Sequence, residues 1–387
     1  MRKNRKYATI IRELTTRRIN GMKFMCEGLL LADAAITVSK ACATKTLIPA
    51  YECIKITVKN DGITLTAFDG EISIKKSMKA EVLEEGEICV NGKFFSDFVN
   101  KISDKQLIVA SKENGMKITY GDSSTVLPTL PADEFPSFPV DPTQDYLEIK
   151  QEDLKNLISN TVFCCATDDS RPILRGCLLE ANEGALNATA LDGFRMAVSC
   201  CPLQGGSGYL KIVCPARTLT EITRILEGDE NLKLYVEKNM LSVAVGDTVL
   251  KSKLYLGEFV RKEHIFPAAF TTTATVNRAE LIDCVERAIV IMRGDKYNLI
   301  VLDIKNSGIV LQAQSDMGNV NEIVEDSIVE GKELKIALNG KYLLDALKAL
   351  DGEKALMSFN SPMQPYVVES ADAKGSEYLM MPVKMEN

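Results

Sequence analysis

The sequence predicts an α+β protein built from three successive copies of one antiparallel unit. Three observations lead there. Short motifs recur at a spacing near 124 residues. Many short stretches alternate apolar and polar residues, the period of a strand with one packed face and one wet face. Each copy also holds two helices' worth of pattern beside roughly eight strands, so helices should lie on one side of an antiparallel sheet.

The repetition rests on several independent anchors. A strand running into an acidic turn occurs as Ile63-Thr-Leu-Thr-Ala-Phe-Asp69-Gly70, as Ala185-Leu-Asn-Ala-Thr-Ala-Leu-Asp192-Gly193, and as Ile309-Val-Leu-Gln-Ala-Gln-Ser-Asp316. The three aspartates are 123 and 124 residues apart. A strand followed by a helix start occurs as Ile88-Cys-Val-Asn-Gly-Lys93, Ile212-Val-Cys-Pro-Ala-Arg217 and Ile336-Ala-Leu-Asn-Gly-Lys341, spaced 124 and 124. Gly121-Asp122 answers Gly246-Asp247, and Glu134-Phe135 answers Glu258-Phe259. A period this long makes each copy a domain rather than a solenoid turn.

The copies are expected at 22–142, 143–270 and 271–387. Met22-Lys-Phe-Met-Cys opens the first as a strand. Early helices are clearest in copies two and three. Leu154, Leu157, Ile158, Thr161 and Val162 form one helical stripe; Asn277 with Glu280 reads as a capping box before Leu281, Val285, Ala288 and Ile289. Later helices carry Phe94, Phe95, Phe98, Val99 and Ile102 in copy one. Copy two has Leu219, Ile222, Ile225 and Leu226; copy three has Tyr342, Leu343, Ala346, Leu347 and Leu350. A proline-rich run from Leu130 to Pro142 should be an extended linker, and a second boundary lies near Phe266-Pro267.

Charge divides the chain unevenly. The 387 residues carry a net −7, yet residues 1–21 hold seven basic side chains against one acid. That segment is expected to be a disordered basic extension. The remainder has 39 basic and 52 acidic residues. No apolar run is long enough to span a membrane. Eleven cysteines without a C-x-x-C signal neither a zinc site nor a disulfide framework and suit a reducing cytoplasm. One histidine, His264, leaves little room for His-based catalysis. No phosphate-binding Gly-rich loop, G-x-S-x-G or H-E-x-x-H occurs, so no enzyme, metal or cofactor is expected. Asp69, Asp192 and Asp316 read as turn residues.

The basic repeat positions are more informative. Lys93, Arg217 and Lys341 open the later helices, with Lys101, Arg224 and Lys348 further along. Lys155, Arg278 and Arg287 fall on polar sides of early helices. Their recurrence in an acidic chain suggests a helical surface kept positive.

Arg171-Pro-Ile-Leu-Arg-Gly-Cys-Leu-Leu-Glu180, Leu191-Asp-Gly-Phe-Arg-Met-Ala197 and Leu379-Met-Met-Pro-Val-Lys384, with the triplication and the Glu-Phe-Pro linker, resemble the bacterial DNA sliding clamp, the beta subunit of DNA polymerase III. The resemblance runs from residue 22 to about 385. It implies three clamp-type domains per chain, sheets outside and two helices per domain lining a central channel. It implies a head-to-tail homodimer that encircles duplex DNA without sequence choice. Its partners would be a replicative polymerase, a clamp loader, and other polymerases and repair proteins docking through short peptides. Six helices at about 9 Å spacing close a circle only about 17 Å across, which their own bulk fills; twelve leave roughly 24 Å clear. A repeat-built interaction scaffold without DNA is the alternative.

The same resemblance implies an apolar peptide pocket between the second and third copies. Its wall would comprise Leu174, Gly193, Phe194, Arg195 and Met196 from copy two, and Val260, His264 and Ile265 from the linker. Copy three and the tail would add Tyr342, Met363, Pro365, Leu379, Met380, Met381, Pro382 and Val383. Two positions depart from the family: Phe194 stands where histidine is usual, and Lys384 where arginine is usual.

Overall fold

The computed structural model describes residues 21–60, 62–113, 115–136, 145–206, 210–295, 297–373 and 375–384. The basic extension, apart from Gly21, therefore lies outside the described residues, as do Pro139 and Pro142 of the linker and the terminal Met385–Asn387. The chain divides into two compact units, Met1–Thr143 with Ser242–Ser252, and Gln144–Leu241 with Lys253–Asn387.

Six α-helices occur among the described residues: α1 Gly28–Ser39, α2 Gly92–Lys101, α3 Gln151–Ser159, α4 Ala216–Ile225, α5 Arg278–Ile291 and α6 Gly340–Ala349. α2, α4 and α6 start 124 residues apart, each directly after a strand: Gly86–Asn91, Leu210–Pro215 and Leu334–Asn339. Asn91 and Asn339 cap α2 and α6 by accepting the amide N–H three residues on, both at 3.1 Å. Pro215 replaces that cap in copy two.

In the first unit, Glu81–Glu84, Lys23–Glu27, Gln106–Lys112, Gly115–Tyr120 and Ser123–Leu127 pair in that order as a five-stranded sheet. α1 lies against Ile72–Lys79 and α2. Its Gly28 is a close approach: a side-chain carbon there would sit 2.7 Å from the carbonyls of Ile102 and Lys105.

In the second unit, one nine-stranded antiparallel sheet crosses from copy two into copy three. Arg195–Pro202 pairs with Ser376–Met380, Arg195 opposite Met380 and Ser199 opposite Ser376. A four-stranded sheet ends on the open edge strand Gly318–Val324. Alternation in Leu299–Lys305 buries Ile300, Leu302 and Ile304 on one face.

Three local expectations need correcting. α3 stops at Ser159; Thr161 precedes a short 3-10 turn at Val162–Cys164. The Thr161 hydroxyl donates to the Leu157 carbonyl at 2.8 Å, an alternative to extending the helix. The capping box is only half formed. Asn277 accepts from the Glu280 amide at 3.1 Å, but the Glu280 carboxylate turns to the amides of Glu325 and Asp326. The linker is not extended throughout, since Ala132–Glu134 forms a 3-10 turn.

Candidate functional site

The junction of copies two and three grows from a turn. Asp192 Oδ1 accepts the amides of Phe194 and Arg195 at 2.9 and 3.1 Å. Gly193 between them takes φ 97°, and an added Cβ there would meet nothing within 4 Å. Backbone conformation, not space, calls for glycine. The turn aims Phe194 outward, 64% exposed, and Arg195 inward.

Arg195 is fully engaged. Its Nε donates to Asp192 Oδ2 at 3.0 Å, one Nη to Asp345 at 2.8 Å, and the other to the Phe163 carbonyl at 2.8 Å. The guanidinium lies 4.2 Å from the Tyr342 ring centroid and 5.4 Å from that of Phe163. Charge-assisted hydrogen bonds and ring contacts of this kind each contribute about 1.5–3 and 0.5–2 kcal/mol. Burial raises the Tyr342 phenol, and the Asp192 carboxylate adds to the shift.

Around this latch sits an apolar cluster of Leu174, Leu191, Met196, Val367, Leu379 and Ala166. Ile265 and Phe259 pack against it from the linker. The tail is tied down twice: Met381 N–H donates to the Phe194 carbonyl and Val383 N–H to the Ala337 carbonyl, both at 2.8 Å. Lys262 pairs with Glu377 at 3.1 Å.

Of the sixteen wall residues expected from sequence, Leu174, Met196, Leu379 and Ile265 meet in that cluster. Met380 is buried and accepts a hydrogen bond from Tyr366. Phe194, Met363 and Met381 are exposed apolar side chains. Val260, Gly193 and His264 are exposed, while Pro365, Pro382 and Val383 are half-buried. Phe163, Asp345, Phe259 and Val367 were missed. Asp345 had a signal: Asp97, Glu221 and Asp345 keep the 124-residue period.

The expected basic positions sort by partner. Arg278 donates to the carbonyls of Gly352 and Leu347 at 2.8 and 3.2 Å. Arg287 grips Glu322 with two nitrogens at 2.8 and 2.9 Å. Lys348 pairs with Glu286 at 2.6 Å, Arg224 with Glu221 at 2.7 Å, and Lys155 reaches the Leu226 carbonyl at 3.4 Å. Arg217 is exposed. Lys93, Lys101 and Lys341 are exposed and make no ion pair among the described residues.

Helical geometry gives these positions a common side. Seven residues fall about 20° short of two turns, so Lys341 and Lys348 share a stripe, as do Arg217 and Arg224. That stripe lies opposite the buried Leu343, Ala346 and Leu347 on α6, and opposite Leu219 and Ile222 on α4. α2, α4 and α6 each carry one net positive charge by composition, while α1, α3 and α5 each carry one net negative charge.

Three family models match along the chain: the N-terminal, central and C-terminal domains of the DNA polymerase III beta subunit, at residues 22–139, 148–260 and 263–384. The chain belongs to the DNA polymerase III beta subunit family, the bacterial sliding clamps. Its fold and its role as a DNA polymerase processivity factor in replication follow from that membership. It is 30% identical over 378 residues to the beta sliding clamp of Halalkalibacterium halodurans, covering 94% of this chain and 100% of the relative. It is 29% identical to that of Staphylococcus epidermidis, covering 89% and 94%. The sliding clamp structure from Bacillus subtilis superposes with a TM-score of 0.91 at 28% identity, over 94% of this chain and 100% of that one. The clamp from Pseudomonas aeruginosa bound to griselimycin gives 0.88 at 26% identity, with the same coverage. These relatives are processivity factors rather than catalysts. Among the described residues, no helix is long and apolar enough to cross a membrane, and no cluster of His, Cys, Asp or Glu is placed to hold a metal.

Proposed function

We propose that two copies of this chain close head to tail into a ring around duplex DNA and tether the replicative polymerase to it. The ring slides because its contacts are few and directed at phosphates, which carry no sequence information. The observation that carries this reading is the basic stripe of α4 and α6, set opposite each helix's buried face and recurring at the domain period. With six helices among the described residues of each chain, a dimer supplies the twelve that surround a duplex. In this reading the chain is three domains, 22–142, 143–270 and 271–387, and performs no reaction itself. A separate loader, which hydrolyses ATP, opens the ring. Polymerases and repair proteins dock at the junction of copies two and three, and griselimycin, which the Pseudomonas aeruginosa relative binds, is taken as a probe of that junction in this chain. Its exposed Phe194, Met363 and Met381 suit varied apolar peptides.

Closed-circular DNA tests encirclement. Once loaded, the chain should stay on the circle and leave when one cut linearises it. A scaffold bound to the outside of DNA, or one that ignores DNA, would behave alike on both forms and overturn the reading.

A further inference from the structure

A second cleft lies in copy two, beside the junction: its strap carries the wall residue Val260, and its Phe259 packs on the junction cluster. The extended strap 254–261 crosses the edge strand Leu210–Pro215: Tyr255 N–H donates to the Val213 carbonyl at 2.9 Å. Leu254 N–H donates to the Asn239 carbonyl at 3.0 Å. Between strap and strand is a cavity of about 310 Å³, floored by Leu178, Ile212, Val213 and Leu254. Its charged rim is Lys211, Lys238 and Arg261 against one acid, Glu258. Lys211 is held by Glu180 at 2.6 Å. Lys238 and Arg261 are exposed and make no ion pair among the described residues. A net positive rim over an aliphatic floor is unusual in a chain of net charge −7.

We propose that this cleft binds a short acidic peptide segment with an apolar side chain at its centre. The apolar group fills the aliphatic floor while carboxylates meet Lys238 and Arg261. Single-stranded nucleic acid shares the negative charge but gains its affinity by stacking bases on free aromatic faces. Neither ring here is free: Phe259 packs on the Leu174 cluster, and Tyr255 sits where a side-chain carbon on Gly176 would be 2.9 Å from its ring. The inference does not depend on the junction being a peptide site.

The test uses the full chain and a fluorescein-labelled hexapeptide with four acidic residues around a central Leu-Phe pair. Anisotropy should report binding that weakens as salt rises and persists when griselimycin is in excess. Lys238→Glu with Arg261→Glu should weaken it about tenfold or more, and Lys238→Gln with Arg261→Gln should weaken it less, both with unchanged melting. Equal binding of a peptide carrying Asn and Gln for the acids would overturn the proposal. So would full displacement by griselimycin, or tighter binding of a single-stranded oligonucleotide at the same residues. Failure of griselimycin itself to bind would instead count against the junction reading and leave the peptide measurement intact.

Discussion

Among single residues, Arg195 has the most to lose. It bridges two carboxylates of different copies and fills the gap between Tyr342 and Phe163, so it positions the junction rather than reaching a bound peptide. Lysine keeps the charge but cannot make three directed hydrogen bonds in one plane. Arg195→Lys should therefore destabilise the second unit by about 2–3 kcal/mol, somewhat below the cost of removing a buried partner outright. Griselimycin affinity should fall with it. Melting by calorimetry, set against a griselimycin titration, separates the roles: lost affinity with unchanged melting would make Arg195 a direct ligand contact. From the sequence, Arg195 reads simply as a wall residue. Its partner Asp345 lies 150 positions away, and only the topology brings them together. Nine of the eleven cysteines are buried, while Cys42 is half-buried and Cys200 exposed. Burial pushes Cys26, Cys89, Cys177 and Cys201 up to about 12, which keeps these thiols protonated and inert at neutral pH.

Strands and helices show where local pattern suffices and where it fails. α2, α4 and α6 were legible because each is amphipathic and starts at a repeated motif. α1 followed from the repeat but could not be placed residue by residue, because Gly28–Ser39 is apolar nearly all round and offers no polar stripe to set its period. The strand joining copies two and three holds a local conflict that the alternation does not reveal. Glu369 and Glu377 stand directly opposite one another on Tyr366–Ser370 and Ser376–Met380. Burial raises the Glu369 carboxyl, and the Glu377 charge adds to the shift, while Lys262 works against it. A carboxyl raised on folding favours the folded state below its unfolded pKa and loses that advantage as pH rises through its folded value. Glu369→Gln removes the like-charge pair and leaves Lys262–Glu377 in place. It should stabilise the chain by about 0.5 kcal/mol at pH 7, the scale of a partly exposed cross-strand pair. The gain should vanish near pH 4, where the carboxyl is protonated. Urea unfolding at the two pH values checks this, and a destabilised variant at pH 7 would show that Glu369 has a favourable partner.

At the level of the whole molecule, the repeat itself says where a second chain belongs. In copy three, α6 turns Tyr342 and Asp345 onto copy two through Arg195. The same two positions of copy one, 248 residues earlier, are Phe94 and Asp97 on α2, and both are exposed. Phe94 is 69% exposed beside an apolar groove lined by Phe98, Leu127 and Pro128. Copy three in turn exposes Val290, Met317 and Ile323 next to or on the open edge strand Gly318–Val324. We propose that the Phe94 groove of copy one and the edge strand of copy three are the two halves of a heterologous contact, which in a two-chain ring occurs twice. Burying a Phe side chain contributes about 1.5–3 kcal/mol, so losing it at both contacts should raise the dimer dissociation constant about a hundredfold or more. Light scattering of the parent chain at micromolar concentration should give about twice the 42.6 kDa chain mass. Phe94→Ala should move it toward one chain mass and shorten retention on closed-circular DNA in the same proportion. Leu256→Ala, an equally exposed apolar residue on the copy-two strap, should change neither. A Phe94→Ala chain that stays dimeric with unaltered affinity would place the contact elsewhere and remove the argument from the repeat.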